Sequence, residues 1–157
     1  MIRRIVSGGQ TGVDRAALDA ALEQGFPCGG WCPKGRRAED GPLPSRYPLR
    51  EAPVTAYPAR TARNVRDSDG TLILLRATAD RGTDLTRRLA ERGRRPLVIL
   101  DLDEQSPADA AEAIARWAET HGVEVLNVAG PRESGQPGIY ALALAVLRLL
   151  ISTAQSD

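Results

Sequence analysis

The sequence predicts an α/β fold of three layers, an open, mostly parallel sheet with helices on both faces. Three observations predict it. Short apolar runs alternate along the whole chain with segments of helical period. Two runs, TLILL at 71–75 and PLVILD at 96–101, are almost wholly apolar, as strands covered on both faces are. The turns after two strand-like runs are rich in glycine, SGGQTGVD at 7–14 and GPRESGQPG at 130–138. Right-handed crossovers convert this alternation into a parallel sheet whose ligands bind beyond the carboxyl ends of the strands.

The elements follow in order. Residues 2–6 read as a strand and 13–24 as an amphipathic helix with Val13, Ala17, Ala20 and Ala21 on one face. Between them Gly8, Gly9 and Gly12 admit close approach to the main chain, and with Gln10 and Thr11 they offer unpaired amides at a helix start, where a phosphate or another small oxyanion belongs. A tight turn without a ligand reads the same way. Residues 25–33 are a short strand at most. The charged, proline-rich loop 34–50 offers Lys34, Arg36 and Arg37 to an anion and Glu39 and Asp40 to hydroxyl or amino groups, unless its charges merely cancel in solvent.

Residues 52–57 suggest an edge strand limited by Pro53, and 60–68 a short polar helix. After the strand at 71–75, a loop at 77–83 leads to Thr83, which can cap a helix at 84–92 that buries Leu85, Leu89 and Ala90. The covered strand at 96–101 is followed by Ser106 as N-cap, Pro107 at the first helical position and Asp109 in the first turn. Ala111, Ile114, Ala115 and Ala118 face inward on this helix; His121 and Gly122 close it. A last strand, 123–129, and an apolar helix from 139 to about 151 complete the chain.

This geometry gathers three loops, 8–12, 78–83 and 130–138. In the third, Gly130 ends a strand, Arg132 presents a planar fork suited to phosphate, and Glu133 and Ser134 can select N–H or O–H groups; alternatively Arg132 and Glu133 pair with each other. Asn127 is a polar group in an apolar strand and needs a partner, main chain or ligand. Gly82 and Thr83 present amides at a helix start, for a ligand or for ordinary capping.

Composition narrows the functional classes. The length of 157 residues suits one domain, 1–157. Twenty-one Lys and Arg against 20 Asp and Glu leave a net charge of +1, with no overall footprint for nucleic acid or an anionic membrane. The opening residues lack the pattern of a secretion signal, so a cytoplasmic location is expected. The longest apolar run, 139–147, is too short to span a bilayer. Cys28, Cys32 and the single His121 supply too few ligands for zinc, and they point to a reduced structural cysteine pair without Ser-His-Asp or Cys-His catalysis.

Taken together, GGQTGVDRAALDAAL, GWCPKGRRAEDGPLPSRYPL, RTARNVRDSDGTLIL, RGTDLT and LNVAGPRESGQPGIY resemble the molybdenum-cofactor carrier family, circularly permuted members of the SLOG superfamily. The resemblance implies a Rossmann-like fold, a homo-oligomer, often a tetramer, and a surface pocket for molybdenum cofactor or a related anion such as phosphate, molybdate or a nucleotide. It implies a carrier that protects the cofactor and hands it to molybdoenzymes. The ligand-binding residues would be Gly8, Gly9, Gln10, Thr11, Gly12, Lys34, Arg36, Gly82, Thr83, Asn127, Gly130, Arg132, Glu133 and Ser134, with no catalytic residue and no protein-held metal. Two departures stand out: Arg81 replaces the first glycine of the family's Gly-Gly-Thr, and Thr83-Asp84-Leu85-Thr86 lacks the catalytic glutamate of the related phosphoribohydrolases. The alternative is an enzyme or sensor of that superfamily acting on a nucleotide-derived ligand, with Asp84 or Glu133 in the missing glutamate's place.

Overall fold

The computed structural model describes residues 1–77 and 81–156, with only the backbone of Arg81 and Gly82. Strands β1 (Arg4–Val6), β2 (Cys28–Gly29), β7 (Gly70–Leu75), β8 (Leu97–Asp101) and β9 (Val125–Ala129) form one sheet in the order β2-β1-β9-β7-β8. Every pairing in it is parallel, with Val6 opposite Asn127 and Thr71 opposite both Asn127 and Leu97. The chain steps outward from β1 to β2, crosses to β7 and β8, and returns to the centre with β9. The carboxyl ends of β1 and β9 therefore lie side by side.

Helices α1 (Val13–Glu23), α4 (Pro107–Thr120) and α5 (Ile139–Ser156) pack together on one face, while α2 (Tyr57–Arg66) and α3 (Arg81–Arg92) pack together on the other. Alternation along the strands decides which residues meet which layer. Ile5, Leu72, Leu74, Leu126 and Val128 join Val13, Ala17, Ile114 and Leu147 in the main core. Thr71 and Asn127 face the α2–α3 side, both buried, with the Asn127 amide donating to Thr71 Oγ1 at 3.3 Å. A second cluster, Leu18, Cys32, Leu43, Tyr47 and Leu49, seats the 34–50 loop on the outer flank of α1.

Most expected elements are present, and the α4 start is as read: Ser106 accepts from the Asp109 amide at 3.1 Å, and His121 is the C-cap. Several expectations are corrected. No strand forms over 52–57, because Pro58 occupies the first turn of a helix that already begins at Tyr57. The described part of α3 runs from Arg81, so Thr83 lies within the helix, with its side chain buried, rather than capping a helix that starts at Asp84. Residues 78–80 of the expected middle loop lie outside the described residues. The 25–50 region holds more strand than expected: β3 (Trp31–Cys32) pairs with β6 (Arg50–Glu51), and β4 (Arg37–Ala38) with β5 (Gly41–Pro42) in a hairpin. Strand β8 is not covered on both faces; it is the sheet's edge, and Ile99 is 40% exposed. Finally, α5 runs 18 residues and is long and apolar enough to cross a membrane by length and composition, contrary to the shorter run read from the sequence. Its Ile139, Ala143, Leu147, Leu150 and Ile151 are instead buried in the core.

Candidate functional site

The first and third glycine loops meet at the rim. Gly12 has φ of 77°, and a β-carbon there would lie 2.3 Å from the Pro131 carbonyl oxygen and 2.8 Å from the Glu133 amide nitrogen, so no side chain fits between the two main chains. The Val13 amide donates to the Pro131 carbonyl at 3.3 Å, and the Glu133 amide to Thr11 Oγ1 at 3.1 Å. A cleft of about 580 Å³ opens beside this junction, between the rim of β1 and β9 and the helices α2 and α3. That volume is in the range of small-molecule sites.

Arg60 organises the cleft. It rises from the first turn of α2, lies 5.7 Å from the Tyr57 ring centroid, and donates through Nη1 to Asp14 Oδ2 at 2.9 Å. Both side chains are mostly buried, 12% and 7% exposed. Its guanidinium runs across Gly8, where a β-carbon would fall 1.3 Å from Nη1. Its Nε is buried with no hydrogen-bond partner among the described residues. A buried, charged donor without an acceptor is costly, and an anionic ligand would satisfy it.

Two further arginines line the cleft, each beside an acid of its own. Arg88 reaches Asp84 at 3.2 Å, and Arg132, 54% exposed, lies 3.8 Å from Glu39. Tyr57, Pro58 and Leu85 give apolar walls, and Asn127 with Asn64 gives amide edges. The Asn64 amide group is already engaged with both main-chain groups of Trp31, at 2.8 and 3.0 Å.

Of the residues expected from the sequence, Gly8, Gln10, Asn127, Gly130 and Arg132 come together at the cleft. Gly9 packs toward Leu43 and Leu49 instead, and its carbonyl accepts from Arg15. Thr11 and Ser134 are joined by Glu39, the tip of the β4–β5 hairpin: its carboxylate accepts from Thr11 Oγ1 and from the amide and hydroxyl of Ser134. The Gln10 side chain accepts from the Glu39 amide at 2.8 Å, completing a strap across the rim. Burial would raise the Glu39 carboxyl, but the donors from Ser134 and Thr11 and the nearby charge of Arg132 prevail and hold it below its ordinary value.

The remaining expected residues have other tasks. Arg36 turns inward at φ of 53° and donates to the carbonyls of Leu43, Pro44, Tyr47 and Leu49, which shapes the loop. Lys34 is exposed and does not line the cleft. Glu133 accepts from the amides of Gly138 and Tyr140, capping α5. Thr83 is buried in α3, beside the cleft residues Leu85 and Thr86 but not lining it. Cys28 and Cys32 are free thiols that do not line the cleft, and burial pushes both up. Among the described residues no three of His, Cys, Asp and Glu gather as a metal would require.

Sequence reasoning missed Arg60, Asp14 and Arg88. The available signal was the 60–68 segment itself: Arg60 and Asn64 are one turn apart on a helix too polar to be explained by core packing.

Parallel crossovers, a central strand that returns between the two halves, and an arginine-lined cleft at its carboxyl end define a Rossmann-like α/β protein. The chain belongs to the circularly permutated YpsA SLOG family, matched over residues 5–151. It is similar over 96% of its length to 95% of a Syntrophus aciditrophicus SB protein described provisionally as a molybdenum carrier protein, known from a 1.45 Å crystal structure, at 47% identity and a TM-score of 0.92. None of the curated proteins matches.

Proposed function

We propose that this chain is a binding and carrier protein for molybdenum cofactor, holding its phosphate-bearing pterin at the rim of the sheet for transfer to molybdoenzymes. The observation that carries the reading is Arg60: a guanidinium fixed by Asp14 and Gly8, with Nε buried and in need of an acceptor. A terminal phosphate answers that need. Tyr57, Pro58 and Leu85 provide walls for a flat ring system, and Asn127 an edge that distinguishes its donors and acceptors. Because neither thiol lines the cleft, the metal stays with the cofactor's own dithiolene. The provisional description of the Syntrophus protein points the same way.

The superfamily alternative, hydrolysis of a nucleotide-derived ligand, draws less support from these side chains. Glu133, a candidate for the absent catalytic glutamate, uses both carboxylate oxygens to cap α5, and Asp84 is held by Arg87 and Arg88.

The test is anaerobic purification with mass spectrometry of the copurified ligand, followed by the Arg60→Gln variant. A pterin phosphate is expected, and its affinity should fall by about tenfold to a hundredfold when the charged donor is lost. Recovery of an adenine nucleotide would transfer support to the alternative. Unchanged affinity in Arg60→Gln would remove Arg60 from the site.

A further inference from the structure

Strand β8 ends the sheet with an open side. The Thr71 amide donates to the Pro96 carbonyl at 2.9 Å, and the Leu102 amide to the Leu75 carbonyl at 2.8 Å. Parallel pairing alternates along a strand, so the main-chain groups of Val98 and Leu100 point at β7 while those of Leu97, Ile99 and Asp101 point outward. Among the described residues, the outward N–H and C=O groups of Leu97 and Ile99 have no partner. Nothing in the strand blunts the edge: LVILD contains no proline, lysine or bulge, and Ile99 at its middle is 40% exposed.

Charge is arranged unequally about that middle. Exposed Arg92, Arg94 and Arg95 precede the strand, Asp101 ends it, and exposed Asp103 and Glu104 follow it. A parallel neighbour would bring like charges together. An antiparallel copy of the same strand would oppose every basic end to an acidic one.

We infer that β8 is a self-pairing edge: two copies of this chain join antiparallel about a two-fold axis through Ile99, making one continuous sheet. The Ile99 residues then exchange both N–H···O bonds, and Leu97 pairs with the partner's Asp101, whose carbonyl also accepts from its own Glu104 amide at 3.2 Å. Beyond the strand, the basic segment 92–95 of one copy then lies near the acidic segment 101–104 of the other. Within each chain Arg95 donates to the Ser68 carbonyl and Asp103 pairs with Arg76, two residues that flank β7, the inner neighbour of β8. A shift of register by one residue would turn the main-chain groups of the two strands away from each other. The inference is independent of what the cleft binds.

Sedimentation velocity over a wide concentration range, with amide exchange by NMR, tests it. A dimer is expected, with the Leu97, Ile99 and Asp101 amides protected on concentration and exposed on dilution. Ile99→Pro removes one outward donor and no bond to β7, and it should abolish the dimer. Arg94→Glu should weaken the dimer about fivefold, and Arg94→Glu with Glu104→Arg should restore it. If Ile99→Pro fails to fold by far-UV circular dichroism, the charge pair and wild-type exchange decide. A chain that stays monomeric, or a dimer in which those amides exchange freely, overturns the inference.

Discussion

At the scale of single residues, Gly8 and Arg60 act as one unit. The missing β-carbon of Gly8 is where the Arg60 guanidinium passes, 1.3 Å from the position that carbon would take. In Gly8→Ala the arginine, being the flexible partner, must swing away and lose its 2.9 Å bond to Asp14. Ligand affinity should therefore drop in Gly8→Ala about as far as in Arg60→Ala, and the double variant should be no worse than either single one, a coupling visible in a double-mutant cycle by titration calorimetry. Additive losses would mean that Gly8 meets the ligand on its own account. Half of this unit was legible in the sequence: glycine after a strand announces close approach, but what approaches is set by a residue some fifty positions away, and no local pattern encodes it. The same limit explains Arg36, whose charge suggested an anion yet satisfies four main-chain carbonyls.

Among elements, the β4–β5 hairpin is the one whose role depends most on charge. Its two-residue tip reaches the rim through Glu39, while Asp40 takes a bidentate bond from Arg15 at 3.0 Å on each oxygen. Arg15 first, against burial, lowers Asp40; donors from Ser134 and Thr11, with the nearby charge of Arg132, outweigh burial to lower Glu39. For groups depressed in the folded state, the stabilisation is complete above their ordinary values, 4.5 for Glu39 and 3.8 for Asp40, and is lost as pH falls through the lower folded values. The Ser134 amide, 3.2 Å from Glu39, reports this. Its NMR shift should titrate with a midpoint below 4.5, and the strap should loosen only under acid. A midpoint at or above 4.5 would show that Glu39 gains nothing from the rim. The composition of the proline-rich loop left two readings open, a functional loop or charges cancelling in solvent; its short strands were not legible, because two-residue strands carry no periodicity to read.

Over the whole molecule, the two faces of the sheet are unequally built. The strand and helix order, read from apolar runs and caps, led to the parallel sheet, but the placement of β8 at an edge depends on sheet order, which hydropathy does not encode: PLVILD looks covered and is not. The thin face is that of α2, which buries only Asn64 and Val65, against seven buried residues each in α1 and α5. Local opening is easiest where little apolar surface is lost, so α2 amides should exchange before those of α1 in the free protein. The cleft is walled by α2 and α3, and opening either destroys it. A ligand that binds only the closed state then slows that exchange by its full linkage factor, about a hundredfold at a hundred times Kd. Fraying of the last turn of α5, remote from the cleft, leaves the ligand in place and keeps its rate. Hydrogen exchange with and without the copurified ligand separates these cases: slowing across α2 and α3 with an unchanged α5 terminus is expected, and slowing confined to other elements would relocate the binding site.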